Sequence, residues 1–451
     1  MKIIIAGAGK IGSSIARQLN SEGHDLTLID SNREAISKIS DELDVICLEG
    51  NATNSDVLRE AGADSADLVV AATEKDEINM ICGISARKLG TDNVIARIRD
   101  PEYLNKTEFL REAFGLNMIV NPEYECAKEI SRILRFPGTA RLDAFSKGSV
   151  EIAGMKVEKG DKLDGKQLKE LALSFGARVL VSIVERDGEA HIPNGNFKLA
   201  EGDKLSVTGT AKELRKFFIA TGYYKKPVKT VMIMGGGRIS LYLARILNEV
   251  GIQVTIIDKD REQCEKLTEL MPEARVIYGD ATQSEVLYEE GINSTDAFVA
   301  LSGDDGNNII TSMFVKNCPV DKIITKVSHS QYPEVIKASG LDTIVSPQSI
   351  VAQQLARYVR AMSNSADGSM ETLYKLADEK AEAIEFIIGE DAKVNGKPLK
   401  ELGLKQNTLI AAVIRGKTII MPNGETVLQP GDHAVICAKA GVIKGIDDIL
   451  V

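Results

Sequence analysis

The first residues with a clear chemical use are Gly7-Ala8-Gly9-Lys10-Ile11-Gly12, directly behind the apolar run Lys2–Ala6. In this G-x-G-x-x-G spacing the first glycine permits a tight turn and the second lets backbone approach a pyrophosphate. The third lets a helix pack closely on a strand. The helix that opens there carries Ile11, Ile15 and Leu19 on one stripe. It offers unpaired N–H groups and the positive end of its dipole to phosphate. Asp30 ends a second apolar run, Leu26–Ile29, where a carboxylate accepts hydrogen bonds from ribose hydroxyls and repels a 2′-phosphate. The chemistry implied is nucleotide binding.

Other candidates stand just past later apolar runs, where a doubly wound sheet holds its ligand. Asn51-Ala52-Thr53 would flank adenine or its ribose, and Thr73-Glu74 would bring a hydroxyl and backbone N–H to phosphate. Arg97 supplies a guanidinium suited to bidentate phosphate recognition. Plainer roles stay open: a surface cation paired with a carboxylate for Arg97, a strand-end cap for Thr73, a turn former for Asn51.

The elements that must position these residues alternate. Strands are expected at Lys2–Ala6, Leu26–Asp30, Val45–Leu48, Leu68–Ala72, Val94–Arg97 and Met118–Val120. Helices are expected at Arg33–Asp41, Ser55–Ala61, Glu77–Lys88 and near Pro101–Phe114. Six short strands with intervening helices predict an open parallel sheet with right-handed crossovers. Glu125–Leu134 reads as a helix ended by Phe136-Pro137-Gly138. From Val150 to Ile219 the pattern is β-rich, with one clear helix at Lys166–Leu173, so a small α+β module is expected. Gly222–Lys229 is a polar joint containing Pro227.

The chain then repeats itself. Thr230–Met234 precedes Gly235-Gly236-Gly237-Arg238-Ile239-Ser240, and Asp258 closes the next apolar run; both glycine turn and acid recur at an offset of 228. Gly279-Asp280-Ala281-Thr282 answers Gly50-Asn51-Ala52-Thr53 at 229, as Ser302 answers Thr73 and Lys326 answers Arg97. In the β-rich part, Asp164–Leu171 matches Asn395–Leu402, and Glu201-Gly202-Asp203 matches Pro430-Gly431-Asp432. Ser363–Ser369 reads as the second linker. The fold expected is α/β: two Rossmann-like doubly wound parallel sheets, each followed by a small α+β domain. The corresponding domains are residues 1–121, 140–222, 229–346 and 368–451.

The second pocket differs. Ser240 stands for the third glycine, which crowds helix against strand without abolishing the turn; Gly303 replaces Glu74, and Lys326 replaces Arg97. Arg238 puts a cation at the positive end of a helix dipole, a cost that a bound anion removes. Candidate contacts there are Gly235, Gly237, Asp258, Asp280 and Lys326. A different nucleotide, weak binding and an empty site all remain open for this half.

Composition narrows the function. With 451 residues the chain is too long for one core, and 44% hydrophobic with 27% charged residues is an ordinary globular balance. A net charge of −10 opposes nucleic-acid partners and direct adsorption to anionic lipid. No apolar run reaches membrane-spanning length, and no signal peptide is evident. The six cysteines show no C-x-x-C pair and the four histidines no cluster, so neither a disulfide frame nor a metal site is expected. Gly160–Gln167 approaches the phosphate-loop pattern but lacks the Ser/Thr that holds magnesium, and reads as a loop entering a helix. No catalytic set falls near the pockets; His329 follows Lys326, but its counterpart is Asp100.

The glycine turn, Asp30, Gly50–Thr53, Ile95-Ala96-Arg97-Ile98-Arg99 and Tyr103 resemble the RCK (KTN) regulatory domain. The D/N-G-K-x-L-K-E-L stretches with Pro193-Asn194-Gly195 and Pro422-Asn423-Gly424 resemble its C-terminal companion. Two such pairs in one chain are similar to the cytosolic regulatory subunits of Trk potassium uptake systems. The resemblance implies a gating ring that binds NAD(H), or ATP and ADP, assembled as a homotetramer under a membrane potassium-translocating subunit. It places cofactor contacts at Gly7–Ile11, Asp30, Thr73, Glu74 and Arg97. It also implies a cytoplasmic protein, peripheral at the membrane through its partner; an allosteric mechanism is expected, and with no catalytic set near the pockets an enzyme is not. Alternatives carried alongside are an NAD-dependent oxidoreductase and a nucleotide-sensing regulator of another transporter.

Overall fold

A computed structural model describes residues 1–135, 142–145, 149–223, 227–328, 339–341, 343–364, 370–377, 380–416, 418–443 and 445–451. The expected helix stop at Phe136-Pro137-Gly138, His329 and most of the linker at Ser363–Ser369 lie outside these residues.

The first lobe alternates as expected: β1 (Lys2–Ala6), α1 (Lys10–Ser21), β2 (Asp25–Asp30), α2 (Arg33–Glu42), β3 (Ile46–Glu49), α3 (Ser55–Glu60), β4 (Leu68–Ala71), α4 (Asp76–Leu89), β5 (Val94–Arg97), α5 (Thr107–Phe114), β6 (Met118–Val120) and α6 (Pro122–Arg135). Its strands pair in parallel in the order β3-β2-β1-β4-β5-β6. β1, β4 and β5 are buried almost throughout, because helices cover both faces. The order reverses between β1 and β4, so β1 and β4 end beside one crevice. Two elements differ from expectation by more than one residue. The stretch after β5 begins as a 3-10 turn, Pro101–Lys106, before α5. α6 starts three residues early, at Pro122, since proline suits a first helical turn.

The first β-rich module holds β7 (Leu142–Phe145), β8 (Val150–Lys156), α7 (Leu168–Phe175), β9 (Leu180–Arg186), β10 (Glu189–His191), β11 (Lys204–Gly209) and α8 (Ala211–Thr221). Its antiparallel sheet runs β10-β9-β11-β8-β7. α8 corrects the single-helix expectation. Thr210 caps it by accepting from the Glu213 N–H, and Leu214, Phe217 and Phe218 bury its inner face.

The second lobe repeats the first: β12 (Thr230–Met234), α9 (Arg238–Glu249), β13 (Gln253–Asp258), α10 (Arg261–Leu270), β14 (Arg275–Tyr278), α11 (Ser284–Glu289), β15 (Ala297–Ala300), α12 (Asp305–Val315), β16 (Lys322–Lys326), β17 (Ile344–Val345) and α13 (Pro347–Asn364). Strand order is again β14-β13-β12-β15-β16-β17. The second module holds β18 (Met370–Leu376), β19 (Ala381–Ile387), β20 (Thr408–Arg415), β21 (Thr418–Ile420) and β22 (His433–Lys439), ordered β18-β19-β22-β20-β21. Here the counterpart of α7 is one 3-10 turn, Leu399–Glu401. Gly403 stands where the first copy has Ala172, and glycine in a helix interior costs about 1 kcal/mol relative to alanine. In both modules the repeated stretch docks on the P-N-G turn: Lys169 N–H donates to Gly195 O and Lys400 N–H to Gly424 O, each at 2.9 Å.

The chain forms two compact units. One joins the lobes, Met1–Ser131 with Val228–Ala356; the other joins the modules, Arg132–Pro227 with Arg357–Val451. In the second unit, Phe145, Val150 and Ile152 of one module pack with Tyr374, Ala383 and Val435 of the other. Among the described residues no helix is long and apolar enough to cross a membrane.

Candidate nucleotide-binding site

The glycine turn forms as its sequence requires. Gly7 has φ +107°, and a Cβ there would lie 2.8 Å from Ala72 O. A Cβ on Gly12 would stand 1.8 Å from Gly7 O, so only glycine allows this helix–strand approach. Gly9 has open space around it, as the position facing a ligand needs. In the second copy Ser240 is fully buried, and its hydroxyl donates to Gly235 O at 2.5 Å. The expected crowding is therefore taken up as a hydrogen bond.

Both acids tie their turns together. Asp30 accepts from Ala8 N–H at 2.6 Å and Asn32 N–H at 2.8 Å; Asp258 accepts from Gly236 N–H at 2.5 Å and Asp260 N–H at 2.8 Å. Each carboxylate oxygen keeps a second lone pair, so this bracing and ribose recognition are compatible. Asn51 accepts from the Thr53 N–H and hydroxyl, and Asp280 from those of Thr282. Both side chains thus act first as turn formers, and the Thr282 donors hold the Asp280 carboxyl below its usual range. Ala52 and Ala281 are buried beneath these turns.

A pair of residues that the sequence reading missed fixes the strand ends. Asn79 on α4 is fully buried. It accepts from the Thr73 N–H (2.8 Å) and hydroxyl (2.6 Å), and donates to Thr73 O (3.2 Å) and Arg97 O (2.8 Å). Asn308 repeats this on Ser302 N–H (2.9 Å), Ser302 O and Lys326 O (both 3.1 Å). Asp76 receives Arg99 N–H and Asp100 N–H, as Asp305 receives Ser328 N–H. Asn79 and Asn308, like Asp76 and Asp305, stand 229 apart, so carrying the repeat comparison through α4 would have found them.

Arg97 is 8% exposed and donates to Thr73 O at 3.0 Å; Glu123 lies 3.7 Å from its guanidinium. Glu74 is exposed, and its carbonyl accepts from Arg99. A cavity of about 740 Å³ opens at the second glycine turn. Gly235, Gly237, Asp258, Asp280 and Lys326 line it from the second lobe; Lys10, Ile11, Arg97 and Glu123 line it from the first. Arg97 thus serves its own β4–β5 crevice and reaches its neighbour's pocket. Burial, foremost, lowers the pKa of both Arg97 and Lys326; Arg238 adds to this at Arg97 and Lys10 at Lys326, while Glu123 opposes it at both. Five cations, Lys10, Arg97, Arg238, Lys259 and Lys326, line this cavity beside five carboxylates, Glu123, Asp258, Asp260, Asp280 and Asp304, and an anionic ligand relieves the repulsion felt by the buried Arg97 and Lys326. Of the remaining expected contacts, Gly7, Ala8, Gly9 and Gly12 belong to the first turn, Asp30 braces it through Ala8 N–H and Thr73 lies against Gly7, while Asn51, Ala52 and Thr53 follow β3 and Glu74 follows β4.

The lobes also interlock next to this site. Tyr242 on α9 is 1% exposed; its hydroxyl donates to Arg99 O at 2.9 Å and accepts from Asn121 Nδ2 at 3.1 Å. Its ring meets Tyr124 edge-on at 5.4 Å. Ser14 holds the corresponding position on α1, so the two pockets are not equivalent.

Comparison with known proteins follows the duplication. The TrkA-N domain model matches residues 3–122 and 231–347, and the TrkA-C domain model matches 152–218 and 383–450. A Trk system potassium uptake protein TrkA homolog of Archaeoglobus fulgidus is 32% identical, covering 100% of each chain. The Trk system potassium uptake protein TrkA of Haemophilus influenzae is 32% identical over 97% of this chain and 95% of its own. Among solved structures, the GsuK RCK domain is similar with a TM-score of 0.64 at 21% identity, covering 97% of this chain and 92% of that one. A GsuK channel bound to NAD gives 0.65 at 20% identity, covering 97% and 76%. With both domain models matched twice in tandem and full-length relatives at this identity, the chain belongs to the TrkA family of Trk system potassium uptake proteins.

Proposed function

We propose that this chain is the nucleotide-binding regulatory subunit of a Trk-type potassium uptake system. In this reading it acts in the cytoplasm as a homotetramer docked on a membrane potassium-translocating subunit, and it regulates without catalysing. The observation that carries it is the convergence of Lys10, Arg97, Arg238 and Lys326 on a cavity that opens at a glycine-rich turn. Such a cavity suits the phosphates of NAD(H), ATP or ADP. Similar solved channels support the ligand class, one bound to NAD and another, at 17% identity and a TM-score of 0.50, bound to ADP.

The regulation follows from the cavity's two-lobed lining. A ligand bridging cations of both lobes favours the lobe arrangement in which all of them reach it. It shifts gating only by its difference in affinity between arrangements. A thermal-shift panel of NAD, NADH, ATP, ADP and cyclic dinucleotides tests the binding step. A specific nucleotide at about 100 times its Kd should add about 2.7 kcal/mol of stability. If every nucleotide at millimolar concentration leaves the melting point unchanged, or bound NADH is consumed with a substrate, the reading fails.

A further inference from the structure

A different set of residues lies in the second β-rich module. We propose that Glu371, Glu385 and His433 form a binding site for a first-row divalent metal ion of the zinc type. The three come from adjacent strands, β18, β19 and β22. His433 Nδ1 lies 2.9 Å from Glu385 Oε1 and 3.8 Å from Glu371 Oε2, and one donor atom from each side chain falls within 4.8 Å of the others. Ligands bonded to one ion at about 2.0–2.2 Å stand roughly 3–4.3 Å apart, so a small turn of the Glu371 side chain completes the set. One imidazole and two carboxylates suit zinc-type ions, whereas magnesium prefers oxygen ligands alone and retains its water.

The backbone builds this convergence. In the β18–β19 pairing, Met370 faces Phe386 and Thr372 faces Glu385, so Glu371 is an extra, bulged residue. Bulges of this kind re-aim a side chain. Glu385 continues the β19 face of Ala381 and Ala383, and His433 the β22 face of Val435 and Cys437; those four residues pack in the core shared by both modules. The ligand set therefore sits at the rim of that core. Glu385 is 1% exposed while Glu371 and His433 are 45% and 32% exposed, which gives a buried anchor with an open approach.

The first module lacks the set. The register Lys156↔Lys204 corresponds to Ile387↔His433. Lys204 thus replaces His433 and pairs with Glu185 at 2.7 Å, while Gly154 replaces Glu385. The counterpart of Glu371 precedes Leu142 and lies outside the described residues. The duplication supplies its own control, and one ion per chain is expected.

The test is calorimetric titration of Zn2+ into the metal-free full-length chain. One saturable ion should bind per chain, and His433→Gln or Glu371→Gln should each weaken it by at least about tenfold. Glu371 is exposed, so its variant keeps the fold even if His433→Gln does not; melting in chelator checks this. The absence of saturable binding, or binding that Glu371→Gln leaves within about twofold, would overturn the proposal and leave an imidazole–carboxylate hydrogen bond. Neither outcome depends on nucleotide binding.

Discussion

Replacing Asn79 with alanine should unseat the nucleotide crevice without touching a ligand. The substitution deletes four hydrogen bonds that join the ends of β4 and β5. The Thr73 carbonyl retains Arg97 as donor, and the half-exposed Thr73 hydroxyl can turn to water. The Thr73 N–H and the Arg97 carbonyl lose their Asn79 partner. At about 1–3 kcal/mol for each buried group left unsatisfied, the lobe should lose about 2–6 kcal/mol. Asn79→Asp should do no better, because it faces two carbonyl oxygens with an anion. Hydrogen exchange at the Thr73 and Arg97 amides reads the loosening locally, which matters in a chain of several folding units. Nucleotide affinity reads its effect on Arg97. Asn308→Ala should do the same to the second lobe. Unchanged exchange at Thr73 with unaltered affinity in Asn79→Ala would refute the argument that this knot positions the site.

Four further outcomes are expected. Gly12→Ala should abolish binding at the first turn, since its Cβ meets Gly7 O at 1.8 Å, whereas Ser240→Ala should cost only about 1 kcal/mol; nucleotide titration and melting separate the two. Arg415 makes two 2.7–2.8 Å bonds to Asp432, whose side chain is 1% exposed, so Arg415→Ala should destabilise the second module by about 3 kcal/mol in a melting experiment. Burial pushes the Cys82, Cys126 and Cys437 thiols up to about 12, and Cys264 is buried too, so a thiol reagent should modify only Cys47 and Cys318 in the native chain and all six after denaturation. Burial lowers Lys322 from 10.5 to about 8. Between these values the unfolded chain holds a proton that the folded chain has released, so stability gains up to about 3 kcal/mol as pH rises through that window. Lys322→Met should flatten that part of the stability–pH curve.

The sheets and glycine turns were legible because burial on two faces leaves continuous apolar strands, and because a duplication writes the same signal twice. Ser302 and Lys326 could be matched to Thr73 and Arg97 from spacing alone. Asn79 was missed for a physical reason: a buried amide on an amphipathic helix looks like an ordinary polar position until its partners, six and eighteen residues away, are brought to it. α8 was missed because Phe217-Phe218 and Ile219 read as the end of a β-rich stretch, although Thr210 with Glu213 carried a capping signal. The stretches behind α7 and the Leu399–Glu401 turn match at most positions but differ where Pro398, Gly403, Lys405 and Gln406 answer Gln167, Ala172, Ser174 and Phe175. The reach of Arg97 into the second lobe's pocket depends on how two lobes pack, which no local pattern encodes.

On the proposed function, an adenine nucleotide at the two-lobed cavity is read out as potassium movement. Potassium flux through proteoliposomes holding the chain with the membrane-translocating subunit proposed for it, with and without the nucleotide that thermal shift selects, tests this most directly. Flux should change with that nucleotide, and Arg97→Ala should abolish the response while the complex still assembles. Flux that ignores a nucleotide shown to be bound, or a response that survives Arg97→Ala unchanged, would contradict this reading.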